Sequence, residues 1–110
     1  MSASKRKGTA WETAVVDYLR QAGHPHVERR ALAGASDRGD IAGIPGVVIE
    51  CKNAKAVTLA KWTDELTREK ANDHATHAVL VVKRRGRPVA DAYAVMPFSA
   101  WLALHEEASR

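Results

Sequence analysis

The chain has 110 residues, 45% of them hydrophobic, which fits one domain around a single core and leaves no room for a second. A formal charge of +4 and a pI near 9.5 draw it towards polyanions, although so modest an excess also serves solubility. The best apolar run, Ala78 to Val82, is far short of the roughly 20 residues of a membrane-spanning helix. The lone Cys51 excludes an intramolecular disulfide and a paired-cysteine zinc site.

One cysteine suits a reducing cytoplasm, and the charged first residues lead into an amphipathic segment rather than a signal-peptide core. Residues 1–8 read as a basic flexible arm carrying Lys5, Arg6 and Lys7, followed by a single domain over 9–110. Thr9-Ala10-Trp11-Glu12 reads as a capping box opening a helix that runs to about Ala22. Trp11, Val15, Tyr18, Leu19 and Ala22 form its expected buried stripe, and Gly23 with Pro25 stops it. Val27 to Leu32 is short and extended, and Ala33 to Arg38 is a loop. Asp40 to Ala42 and Val47 to Lys52 are predicted strands joined by a tight turn over Gly43 to Gly46.

Thr58 can cap a second helix whose Leu59, Trp62 and Leu66 share one face, directed at the sheet. Ala78 to Lys83 and Ala92 to Met96 are strand candidates about a basic turn, Arg84 to Pro88. Pro97 and Ser99 open a final helix in which Phe98, Trp101, Leu102 and Leu104 are expected to cap one side of the core. Trp11, Trp62 and Trp101 all read as core residues. The order, helix, three strands, helix, two strands, helix, predicts an α/β fold with a mixed sheet.

Alternation along Val47 to Lys52 puts Glu50 and Lys52 on one face and Ile49 and Cys51 on the other. Asp40 precedes the turn, so antiparallel pairing can bring its carboxylate beside that of Glu50. Two carboxylates with the Cys51 backbone carbonyl form an oxygen donor set suited to magnesium, with manganese able to substitute. A metal there can activate water and offset charge developing on a phosphodiester. Lys52, as an ammonium, would orient the attacking water or stabilise the transition state; acting as a base would need its pKa of about 10.4 pulled well down.

Gly39-Asp40, the hydrophobic strand and Glu50-Cys51-Lys52 resemble the motifs of the PD-(D/E)XK nuclease superfamily, with glycine where the motif often has proline. That resemblance implies a restriction-endonuclease-like core of αβββαβ order, here with an extra strand and a C-terminal helix. Lys7-Gly8-Thr9-Ala10-Trp11-Glu12 is similar to the first helix of compact archaeal and phage Holliday junction resolvases. The resemblance implies that Glu12 reaches the metal through water. It also implies a homodimer cutting branched DNA in a phage or prokaryotic host cytoplasm, without an organic cofactor.

Glu50 and Lys52 could instead be a solvent-facing pair, and Glu12 could serve only as a cap. The histidine pairs His24/His26 and His74/His77 lack a third matched ligand for zinc. Lys5, Arg6 and Lys7, Arg29, Arg30 and Arg38, and Lys83, Arg84, Arg85 and Arg87 are the candidate DNA contacts. A flap, nicking or repair nuclease, and a noncatalytic DNA-binding module keeping the fold, are the alternatives to a junction endonuclease.

Overall fold

The computed structural model describes residues 2–31 and 36–110. Its elements are α1 (Ala3–Gln21), β1 (Glu28–Arg29), β2 (Ile41–Ala42), β3 (Val47–Lys52), α2 (Leu59–Asn72), β4 (His77–Val82), β5 (Tyr93–Val95) and α3 (Phe98–Ala108). A short 3-10 turn, Val89–Asp91, precedes β5. The strands form one open mixed sheet in the order β1-β2-β3-β4-β5. All neighbours are antiparallel except β3 and β4, which run parallel with Val47 opposite His77 and Lys52 opposite Val82. A parallel pair needs a crossover, and α2 supplies it.

Period-two alternation divides the core into two layers. On one face of the sheet, Ile41, Ile49 and Cys51 pack with Trp11, Val15 and Val16 of α1. On the other, Val48, Ala78, Leu80 and Val82 pack with Trp62 and Leu66 of α2. The indole Nε1 of Trp11 donates to the Val81 carbonyl at 3.1 Å, fastening α1 to the middle of the sheet. Both Trp11 and Trp62 are core residues, as their helical spacing predicts. None of the helices is long and apolar enough to cross a membrane, among the described residues.

Several boundaries differ from expectation. Helix α1 starts at Ala3, with the Ser2 hydroxyl accepting from the Lys5 N–H at 3.2 Å, so Thr9 and Glu12 are interior and form no capping box. Lys5, Arg6 and Lys7 are good helix formers and extend the helix through the expected arm, tolerating Gly8. Tyr18 lies outside the buried stripe, which is Trp11, Val15 and Val16. Thr58 precedes α2 but makes no side-chain cap bond, and Leu59 is exposed. The expected strand end at Leu32 and most of the following loop fall outside the described residues.

Helix α3 is the largest departure. Phe98, Trp101, Leu102 and Leu104 are all exposed, Phe98 at 79%, so they cap no part of the core. The two layers are already closed by α1 and α2, and α3 lies beside β4, where His77 Nε2 and Glu107 Oε2 stand 2.6 Å apart. Its aromatic rings stack on one another, Phe98 on Trp101 and Trp101 on His105.

Candidate active site

The geometry begins at Gly39. Its φ of +95° favours glycine, and a Cβ there would sit 2.8 Å from Val48 Cγ1 and 3.0 Å from the Ile49 carbonyl oxygen. The bare backbone lets the chain lie flat against β3, where the Asp40 N–H donates to the Ile49 carbonyl at 2.9 Å. The Asp40 side chain then reaches along the strand, and its Oδ2 accepts from the Cys51 N–H at 2.8 Å. In extended backbone a residue's N–H and C=O leave the same edge, so the Cys51 carbonyl faces the Asp40 side as well. Strand β2 begins at Ile41, which pairs antiparallel with Ile49, so Asp40 stands where a further β2 residue would fall opposite Glu50.

Glu50 points from β3 to the α2 face, as alternation predicts, but into the core: it is 5% exposed. The solvent-facing alternative therefore fails for Glu50. Burial pushes its carboxyl far above the ordinary carboxylate range, and the neighbouring Asp40 and Glu69 carboxyls push it further. Lys52, two residues on, shares that face. Its Nζ meets Glu65 Oε2 at 3.2 Å and lies 5.6 Å from the centre of the Trp62 ring. Burial alone would lower its pKa, but Glu50, Glu65 and Asp40 together outweigh that and raise it. Lys52 is thus an ammonium held in place by Glu65.

Glu12 belongs to the α1 face. Its carboxylate pairs with Arg29 at 3.1 Å, and burial, then the charge of Asp40, raises its pKa against the opposing pull of Arg29. Asp40 therefore sits between the two faces, linked electrostatically to Glu12 on one and Glu50 on the other. Burial pushes the Cys51 thiol up, so the backbone of Cys51, not a thiolate, is what it can offer a cation.

The basic residues divide in two. Lys7 of α1, Lys83 after β4 and Arg85 line an open cleft of about 490 Å³ with Asn53, Ala54 and Lys55. This cleft lies at the end of the sheet where Lys52 ends β3, and the Lys83 N–H donates to the Lys52 carbonyl at 2.9 Å. Strand β4 is flanked by β3 and β5, so Lys83 is not an edge-strand lysine. Its Nζ lies 5.6 Å from the Trp11 ring centre. By contrast Arg29 is tied to Glu12, and Arg30 and Arg38 both turn to Asp73, at 3.1 and 3.8 Å. Arg84 stacks over Tyr93 and Arg87 pairs with Asp91. Lys5 and Arg6 are exposed on the first turns of α1.

Four residues of this region escaped the sequence reading: Asp37, Lys55, Glu65 and Glu69. Glu69 carried a signal, because it follows Trp62 and Leu66 at the spacing of the buried α2 stripe, a position where an apolar residue is the rule. It is 6% exposed, and Asp37, Glu50 and Glu69 each bring a carboxylate oxygen within 4.8 Å of the others. Asp37 and Glu65 carried none, being ordinary loop and helix-surface acids until the fold brings them in. Among the described residues no histidine joins such a group.

Compared with models of known families, with curated proteins and with solved structures, the chain matches none of them.

Proposed function

We propose that this protein is a metal-dependent DNA endonuclease, a phosphodiester hydrolase selective for branched DNA. The observation that carries the reading is the meeting of Asp40 and Glu50 at the end of β3, with the ammonium of Lys52 beside them and a basic cleft adjoining. The element order αβββαβ, the antiparallel run of β1 to β3 and the parallel β3/β4 pair support a restriction-endonuclease-like core.

The donor set fits magnesium or manganese: Asp40, Glu50 and the Cys51 carbonyl are hard oxygens, and the Asp40 and Glu50 carboxyls already meet through a hydrogen bond. When bound, such an ion supplies Lewis acidity for activating water and for offsetting charge on the phosphodiester. The chain's own residues do the rest. Glu50 would hold such an ion as the carboxylate, giving its proton up to solvent, since a cation beside it would favour the charged form that burial opposes. Lys52, fixed by Glu65, presents positive charge to the attacked phosphate. Glu12 lies within electrostatic reach of Asp40 and assists through water. Lys7, Lys55, Lys83 and Arg85 neutralise neighbouring phosphates. The basic cleft offers charge to phosphates, which position DNA without reading its bases, so duplex shape decides binding here, and paired incisions across a junction call for a homodimer.

The test incubates wild type, Glu50→Ala and Lys52→Ala with four-way junction, flap, nicked and linear DNA, with magnesium or with chelator. Junction cleavage that needs metal and falls by about 10²-fold or more in both variants is expected, the scale of losing one electrostatic stabiliser. Cleavage unchanged in both variants would sink the site. Preference for flaps or nicks would move the substrate, and DNA binding without any cleavage would leave a noncatalytic module.

A further inference from the structure

The α2 face carries more carboxylate than the reading above uses. Asp37, Glu50 and Glu69 converge within 4.8 Å, two of them buried. Like charges this close in a low-dielectric layer cannot all stay ionised without a counter-charge. Lys52 acts on Glu50 and Glu69 from a distance, but its own ion pair is with Glu65, and the arginines of the region pair elsewhere, Arg30 and Arg38 with Asp73 and Arg29 with Glu12, so one shared ammonium faces three carboxyls.

Glu69 adds an independent sign. Its side chain points inward from the buried stripe of α2, and its Oε2 is sealed from solvent without any hydrogen-bond partner among the described residues. A buried acceptor left unsatisfied costs roughly 1–3 kcal/mol, more when charged, so it needs a reason. Asp37 is held to the same spot from two sides: its Oδ1 accepts from the Gly39 N–H at 2.9 Å, and its carbonyl accepts from the Asn72 amide at 2.8 Å. The loop is thereby anchored both to the approach of Asp40 and to the end of α2.

We propose that Asp37, Glu50 and Glu69 form a divalent-cation position of their own on the α2 face, with Glu50 shared with the Asp40 side, so that the site takes two ions. Three carboxylate oxygens leave an octahedral ion about three places for water or a phosphate oxygen. The two positions would share Glu50, whose carboxyl meets Asp40 on one side and Glu69 on the other through hydrogen bonds. Its use in cleavage rests on the nuclease reading, whereas ion binding itself does not.

The experiment counts manganese ions on the chelator-stripped chain by calorimetry and by the loss of free-manganese paramagnetic resonance signal. Wild type, Glu69→Gln, Asp37→Asn and Asp40→Asn are compared near neutral pH, with thermal melts to confirm folding. Two ions per wild-type chain, falling to one in both Glu69→Gln and Asp37→Asn, is the expected result. A single ion in wild type, or two ions retained in Glu69→Gln and Asp37→Asn, would overturn the proposal. Should either variant fail to fold, the other decides. Loss of one ion from these variants by a protein that cuts no DNA would uphold the cation position and sink the nuclease reading. Junction cleavage with ion binding untouched by both substitutions would do the reverse.

Discussion

Glu50 is the residue whose surroundings most oppose its charge, and the opposition has a measurable sign. Its pKa in the folded chain is raised above the unfolded value, so the native state holds a proton that the unfolded state releases. The associated stability is complete below the ordinary carboxylate range. It is lost progressively as pH climbs from there through neutrality towards the raised value; Glu69, shifted the same way, adds to the trend. In chelator, Glu50→Gln is therefore expected to melt with wild type at pH 4 but well above it at pH 8, with each kcal/mol regained worth about 4–8 °C in a domain near this size. Melts across that range check it, and a gap that does not widen with pH would mean that the carboxyl is not held neutral. Added manganese should close the gap by stabilising wild type alone.

At the scale of elements, the approach of residues 37–40 to β3 depends on a backbone that only glycine adopts comfortably. The φ of +95° at Gly39 is far from the −65° that proline imposes, so the glycine standing at the motif's proline position makes a different approach to Asp40. Gly39→Ala is expected to cost about 1–3 kcal/mol, read by urea unfolding, and to weaken metal binding because Asp40 is the next residue. Helix α3 gives the opposite expectation: Phe98→Ser, at 79% exposure, should change stability by no more than about 0.5 kcal/mol in the same assay. Strand β3 and the Trp62 and Leu66 positions of α2 were legible because alternation and helical spacing report burial directly. The start of α1 was not, since Ser2 and Thr9 are both good caps and nothing local chooses between them. The outward face of α3 was illegible for a different reason: an apolar stripe says that a helix has something to cover, not that the core has space for it.

For the molecule as a whole, the basic cleft is the feature that a salt titration can weigh. Binding of a four-way junction in chelator should weaken steeply as salt rises, and Lys55→Ala or Lys83→Ala should each lower the slope of log affinity against log salt by about 0.9. Arg30→Ala should leave that slope nearly unchanged, because Asp73 already occupies its guanidinium. Equal slopes in all three variants would show that phosphates pass elsewhere. Asp40, Glu50 and Lys52 could be read from the sequence because strand geometry alone relates them. Lys55 and Asp37 could not, because their nearness comes from where two loops run, which no local pattern encodes; the place of Glu69 in the α2 stripe reports its burial but not which groups it meets.

The hydrogen bond from Trp11 to the Val81 carbonyl also sets an order of assembly in the cell. Its donor leaves the ribosome seventy residues before its acceptor, an interval of about 4–14 s at ordinary elongation rates of roughly 5–20 residues per second. Until β4 emerges, α1 can cover Ile49 and Cys51 of β3 but its Trp11 N–H has no carbonyl to meet, and the α2 layer lacks Leu80 and Val82 to close over Glu50 and Glu69. Both acids stay hydrated through that wait, and the burial that raises their pKa values begins only as β4 closes the α2 layer.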